Sequence, residues 1–342
     1  MRRRDIARRA VAVFLLLVFV TTVAGCRERP KDGPASARDE ISDEEAFEGF
    51  EEEAVTGKVV VDGSSTLAPY FILGAERFGR ENPDVKVTVG VSGTGGGLDR
   101  FCAGETDVAT ASRPIEDDER EACAEKRILF LELQVANDAV TVVTNRRNDW
   151  ADCLTVDQLK AIWEPGSKVD SWDDVSDDFP DEELPLYGPG TDSGTFDFFT
   201  EAIVGEAGSS RSEYTASEDD NVTVRGVTGQ QGALGYLGLS YVEENEGKLK
   251  PLGIDSGDGC VEPSSETVQS GAYEPLSRPL YVYVKRDSLE EKLQVDAFLA
   301  YLLGNQARIA RGARFVPLTQ EQLDRSTTIL EGASIDAGEG EG

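Results

Sequence analysis

Four short stretches place hydroxyl side chains and glycines directly ahead of helical patterns. They are Ser64-Ser65-Thr66 before the run from Leu67, Ser92-Gly93-Thr94-Gly95-Gly96-Gly97 before Leu98, Ser112-Arg113-Pro114 before an acidic helical stretch, and Asp192-Ser193-Gly194-Thr195 before FDFFTEAIVG. Ser, Thr and Asp are favoured N-cap residues, so each stretch taken singly reads as a cap, and Pro114 suits a first-turn position. Taken together they read differently. A helix start flanked by glycine offers free backbone N–H groups and the positive end of the dipole, so four converging starts would cradle one tetrahedral oxyanion.

The commoner phosphate loops do not fit. A Walker loop needs Lys after its last glycine, and none follows Gly97. A dinucleotide fingerprint begun at Gly93 would need glycine where Leu98 stands, and one begun at Gly90 would need it at Ser92. Composition narrows the field further. With 65 Asp plus Glu against 34 Lys plus Arg, the net charge is -31, which excludes a polyphosphate partner such as nucleic acid. A small anion is still admitted, because the long-range field decays over about 8 Å at physiological salt while a buried site is ruled by local donors. The chain has no His, which removes the usual neutral-pH base and the commonest transition-metal ligand. No cofactor and no metal is expected.

The elements that must position these clusters alternate: GKVVVDG, LAPYFILGAERFGREN, VKVTVGV, GLDRFCAGE, TDVATA. Strands alternating with amphipathic helices predict an α/β fold with parallel sheets covered on both faces. The passage 128–145 is too long for one ordinary strand and suits a chain crossing between domains; RPLYVYVK (278–285) is a second crossing. The expected organisation is a discontinuous first domain, 55–137 plus 275–325, with 138–274 inserted as a second, the two closing on a ligand between them.

The first 26 residues have a basic start, an apolar stretch from Val11 to Val20 and small residues ending at Cys26, the layout of a secretory signal peptide. The apolar stretch is shorter than the roughly 20 residues of a spanning helix. Val23-Ala24-Gly25-Cys26 resembles the lipobox of bacterial lipoproteins, in which the Cys receives lipid. Residues 27–54 are rich in charge, Pro and Gly and predict a disordered acidic tether; 326–342 predicts a flexible acidic tail. Setting Cys26 aside leaves Cys102, Cys123, Cys153 and Cys260, an even set that favours two disulfides in an exported protein. Of three connectivities, Cys102 with Cys123 and Cys153 with Cys260 is favoured, because each pair then falls within one domain.

VDGSSTLAPY, VSGTGGGLDRFCAGETDVATASRPI, GPGTDSGTFDFF and GQQGALGYLGLSY resemble, in content and order, the signature segments of the phosphate-specific ABC transporter substrate-binding proteins, the PstS family, over about 57–320. The resemblance implies a type II periplasmic-binding-protein fold of two α/β domains joined by a two-strand hinge, and capture of inorganic phosphate for a membrane permease by a monomer without enzymatic activity. It implies Thr66 with the Leu67 backbone, Thr94, Ser193, Gly194 and Thr195 as phosphate ligands, with Ser65 and Ser92 nearby. Two departures stand out. Arg113 occupies a position where many members carry Asp, and Pro189 stands four residues before Ser193, where many carry Arg. Arg113 can supply the bidentate fork that an oxyanion wants. The missing Asp leaves open which carboxylate accepts the hydrogen of phosphate, with Asp62, Asp107 and Asp192 as substitutes. Another oxyanion, or an extracellular phosphoesterase using Ser65 or Ser193, are the rival readings. Trp150, Trp163 and Trp172 read as packing residues, and DDFPDEELP as an exposed acidic loop.

Overall fold

The computed structural model describes residues 55–191 and 193–338. The leader, Cys26, the tether, Asp192 and the last four residues lie outside the described residues. In the first lobe the order is β1 (Gly57–Gly63), α1 (Ala68–Glu81), β2 (Val85–Val89), α2 (Gly93–Cys102), β3 (Val108–Ala111), α3 (Asp117–Glu125) and then β4 (Phe130–Asn145). The second lobe holds β5 (Cys153–Thr155), α4 (Val156–Trp163), β6 (Leu186–Gly188), α5 (Gly194–Ile203), β7 (Thr215–Ala216), α6 (Asp220–Gly229), β8 (Leu234–Gly238), α7 (Leu239–Glu244), β9 (Leu249–Pro251), β10 (Gly253–Asp255), β11 (Cys260–Val261) and α8 (Ser265–Gln269). The chain returns through β12 (Ser277–Lys285) to α9 (Arg286–Glu291), α10 (Leu293–Gly304), α11 (Gln306–Gly312) and α12 (Gln320–Gly338).

Local pattern explains α1. Tyr70, Phe71, Gly74 and Phe78 line its buried face, and Phe71 and Phe78 meet Phe298 of α10 with ring centroids 6.1 and 5.3 Å apart. Asn82 ends the helix by donating its backbone N–H to the Phe78 carbonyl, and Pro83 cannot continue it.

The main sheet runs β2-β1-β3-β12-β4-β8-β6-β7, with β9 also on β4. β1 is parallel to β2 and β3, and β6 is parallel to β7 and β8, but β12 is antiparallel to β3 and β4, and β4 to β8. The sheets are therefore mixed where purely parallel ones were expected, because β4 leaves the first lobe and β12 re-enters it, so the two run in opposite directions. The stretch expected to exceed one strand is a single strand of 16 residues, about 50 Å long at 3.3 Å per residue. Its first part, to Ala139, pairs with β12, and from Val140 to Thr144 it pairs with β8.

Each lobe has its own core. One gathers Val59, Phe71, Phe78, Val282 and Phe298; the other gathers Trp163, Trp172, Phe199, Tyr236 and Ile254. Trp163 and Trp172 are wholly buried and Trp150 packs edge-on against Trp172, so the tryptophans are packing residues. The Trp172 indole donates to the Gly232 carbonyl at 2.7 Å.

Cys102 is bonded to Cys123, tying the end of α2 to α3, and Cys153 to Cys260, tying β5 to β11 in the small sheet β11-β10-β5. The expected tail after Ser326 is instead the body of α12. Leu330 and Ala333 are buried in the first core, and the buried Ser326 hydroxyl donates to the Gln134 carbonyl at 2.8 Å. Its polar composition concealed a narrow apolar stripe. No helix among the described residues is long and apolar enough to cross a membrane.

Candidate functional site

The four hydroxyl clusters divide into two helix starts without a side-chain cap, one capped by its own serine, and one cluster that lies ahead of its helix. At α1 the N-cap residue is Leu67, with its side chain wholly buried and no side-chain cap, so Ser65 and Thr66 are not capping residues. At α2 the helix already begins at Gly93, five residues ahead of Leu98, again with no side-chain cap. The glycines permit this: a Cβ on Gly97 would stand 2.3 Å from the Gly63 Cα, so only glycine lets α2 lie directly on β1. At α5 the Ser193 hydroxyl accepts from the Thr195 N–H at 3.2 Å, as an N-cap does.

The fourth cluster is not an open helix end. The N-cap of α3 is Glu116, joined to Glu119 in a capping box, so Pro114 lies before the helix rather than in its first turn. The Arg113 fork is spent locally: Nη1 and Nη2 each reach a Glu119 carboxylate oxygen at 2.8 Å, and Nε lies 3.1 Å from Glu116. Thr94 exchanges bonds with Ser112, at 3.1 Å between hydroxyls and 3.2 Å from the Ser112 N–H to the Thr94 hydroxyl.

What meets between the lobes is the start of α1 and the start of α5. A Cβ on Gly194 would lie 3.2 Å from the Thr66 hydroxyl and 3.3 Å from its Cα, so the absence of a side chain at 194 sets how closely the lobes approach. Beside this contact is a cavity of about 220 Å³ lined by Ser65, Thr66, Ser193, Gly194, Thr195 and Asp138 together with Asp220, Ser240, Tyr241 and Arg314. Ser65, Thr66, Ser193, Gly194 and Thr195 are thus brought together, while Arg113 lines a neighbouring recess with Ser112, Phe198, Glu201 and Arg278.

Arg278, which shares that recess with Arg113, reaches back to the start of α1. It opens β12 directly opposite Asp138 of β4. Its Nη2 donates to the Thr66 hydroxyl at 3.0 Å, and its Nε and Nη2 lie 3.4 Å from Asp138 Oδ2. The guanidinium carbon sits 3.8 Å over the Phe198 ring of α5. Burial pushes the Arg278 guanidinium below its ordinary range, although Asp138, Glu201 and Asp197 pull it up. Burial likewise holds the Asp138 carboxyl above its ordinary value, with Arg278 drawing it back in part; Asp197 is raised for the same reason.

Two carboxylates weighed as acceptors have other work. Asp62 accepts from the Gly63 N–H, the Ser92 N–H and the Ser92 hydroxyl at 2.7, 3.1 and 2.8 Å and pairs with Arg100, so it fixes Ser92 and the loop before α2. Asp107 accepts from the Val60 N–H, the Ser288 hydroxyl and the Lys292 ammonium at 2.9, 2.8 and 2.6 Å. Asp192 lies outside the described residues. Arg278 and Asp138 were missed because each sits inside a stretch read only as a crossing strand. The available signal was a charged residue interrupting an apolar strand, in VANDAVTVV and again in SRPLYVYVK.

Two α/β lobes on a pair of antiparallel connecting strands, with helix starts from both lobes facing a polar cleft, define a type II periplasmic-binding-protein fold. Residues 48–306 match the family model described as the PBP superfamily domain. The chain is 43% identical over 265 residues to Protein SphX of Synechocystis sp., covering 77% of this chain and 79% of that one. It is 37% identical over 276 residues to Phosphate-binding protein PstS of Staphylococcus saprophyticus, covering 80% and 85%. The solved structure of a possible phosphate binding protein from Planctomyces limnophilus superposes with a TM-score of 0.78 at 44% identity, over 82% of this chain and 99% of that one. An ABC-type phosphate transport receptor from Vibrio cholerae shares the fold, with a TM-score of 0.62 at 20% identity over 76% of this chain and 99% of that one. This chain belongs to the PstS family of the PBP superfamily.

Proposed function

We propose that this protein captures inorganic phosphate between its lobes, outside the cytoplasm, and hands it to an ABC permease without altering it. The observation that carries the reading is the meeting of Thr66 with Ser193, Gly194 and Thr195, at helix starts from opposite lobes, with the buried Arg278 guanidinium bonded to the Thr66 hydroxyl. Hydrogen bonds from ionised or well-oriented donors to a buried anion contribute about 1.5–3 kcal/mol each, so a handful of them supplies tight capture. The names of the relatives, phosphate-binding proteins from several bacteria, support the same ligand.

In this reading the first lobe spans 55–137 plus 275 onward, the second spans 138–274, and Cys26 carries a lipid that holds the protein at the outer face of the membrane as a monomer. Ser65, Thr66, the Leu67 backbone, Ser193, Gly194, Thr195 and Arg278 bind the anion. Thr94 acts through Ser112, and Arg113 sets the shape of the adjoining recess. A phosphoesterase is disfavoured because Ser65 and Ser193 have no His to activate them.

The test is calorimetric titration of anion-stripped protein with inorganic phosphate. Submicromolar binding is expected, together with no phosphate-ester hydrolysis in the presence or absence of divalent ions. Failure to bind phosphate overturns the reading.

A further inference from the structure

The segment between α11 and α12 ties the two lobes together again, beyond β4 and β12. Phe315 packs into the first core and its neighbour Val316 into the second. Val316 also exchanges both backbone hydrogen bonds with Asn137 of β4, each at 2.9 Å. Asn137 lies in the part of β4 that pairs with β12, whereas β8, which leads into α7, pairs with β4 only from Val140 onward. Arg314, anchored through Phe315 and Asn137, therefore faces α7 across the place where β4 passes from one lobe to the other.

Arg314 makes three separate contacts with α7. Its Nη1 donates to the Glu244 carboxylate at 2.6 Å, its carbonyl accepts from the Ser240 hydroxyl at 2.7 Å, and its guanidinium carbon lies 4.0 Å from the Tyr241 ring centroid. Asp220 of α6 adds a second negative charge nearby. The Arg314 backbone is held at φ 65°, a left-handed conformation that a residue with a side chain keeps only where its surroundings fix it. Arg314, Ser240 and Tyr241 also line the cavity beside Thr66 and Gly194, so parting Arg314 from α7 would open the wall of that cavity.

We propose that Arg314 is a latch between the lobes: its contacts with Glu244, Tyr241 and Ser240 hold the cleft shut and set how long a captured ion stays. The ion in question rests on the phosphate reading above. Arg314 is a positioning residue, acting on the ion only through the closed form it favours, so it governs release far more than capture. Its ion pair with Glu244 is about half exposed on both sides, and salt weakens such a pair.

The experiment measures phosphate association and release by stopped flow for the wild type, Arg314→Gly, Arg314→Lys and Glu244→Gln, in low and high sodium chloride. Glycine adopts a positive φ freely, so Arg314→Gly keeps the backbone and its bond to Ser240 and loses the side chain alone. Its release should be about tenfold faster, with association changed less than about twofold. Arg314→Lys keeps the charge without the flat fork and should fall between. Wild-type release should quicken severalfold between about 0.01 M and about 1 M salt, and Glu244→Gln should lose most of that dependence. Release from Arg314→Gly at the wild-type rate, or an equal salt dependence in the wild type and Glu244→Gln, overturns the latch while leaving phosphate capture intact. If the wild type binds no phosphate, the functional reading falls, and X-ray scattering of the ligand-free proteins decides the latch by itself. A larger radius of gyration in Arg314→Gly than in the wild type upholds it, and equal radii overturn it.

Discussion

Arg278 and Asp138 face each other across the two strands that connect the lobes, and from that position Arg278 touches both lobes at once. Its Nη2 is 3.0 Å from the Thr66 hydroxyl of the first lobe, and its guanidinium carbon is 3.8 Å from the Phe198 ring centroid of the second. A cation held by the connection rather than by either lobe stays at the cleft whichever lobe moves. Its stacking on Phe198, with little water present, contributes up to about 2 kcal/mol to holding it there.

Removing that cation should be far more costly than removing Arg113. Arg278→Ala should weaken phosphate binding by about a hundredfold or more, because Asp138, Asp197 and Glu201 would then face the anion without their shared counter-charge. Arg113→Ala should change affinity less than about threefold, since its fork is already held by Glu119 and Glu116. Calorimetry on both variants checks this, and the opposite ranking would return Arg113 to the anion.

Asp107 should govern acid stability. Burial works to raise its carboxyl, but hydrogen bonds from Lys292, the Val60 N–H and Ser288 outweigh this and hold it below the ordinary range. A depressed carboxyl contributes stability above the unfolded pKa, near 4, and loses it as pH falls through the lower folded value. Asp107→Asn should therefore cost about 2–3 kcal/mol at neutral pH and flatten the loss of stability on acidification. Urea unfolding at several pH values reads both effects.

The two disulfides should differ in worth. Cys102–Cys123 closes a short loop and Cys153–Cys260 a long one, with sequence separations of 21 and 107. Loop-closure entropy puts the first at about 3 kcal/mol and the second near 5 kcal/mol. Paired Cys→Ser variants, compared by denaturant midpoint, should rank in that order.

Salt should help this protein in two ways. A net charge of -31 repels itself within the fold and repels an approaching anion. Raising sodium chloride from about 0.01 M to about 1 M shortens the screening length from about 30 to about 3 Å. The melting temperature and the phosphate association rate should both rise over that range. Stopped-flow binding and thermal unfolding test the two separately.

Much of this was legible in the sequence because it is local. Alternating strands and helices identified the α/β class, and glycine beside hydroxyl residues marked the starts of α1, α2 and α5. The α3 start was misread because Ser112-Arg113-Pro114 imitates a cap, while Glu116 and Glu119 form the real one. The Arg278–Asp138 pair was illegible for a different reason. It depends on β12 lying antiparallel to β4 in one register, a relationship between residues 140 positions apart that no window of sequence contains. Helix α12 was missed because its burial rests on few residues, Ser326, Leu330 and Ala333 among them.

The placement of β12 between β3 and β4 also governs the order in which the protein can be made. The first lobe begins the chain, yet the strand that completes the middle of its sheet is not synthesised until residues 277–285. During export the N-terminal strands must wait with an open edge on β3 while the whole inserted lobe, including its Cys153–Cys260 bond, emerges and closes. The lobe that starts last therefore finishes first, and the nascent first lobe is the form most exposed to chaperones and proteases.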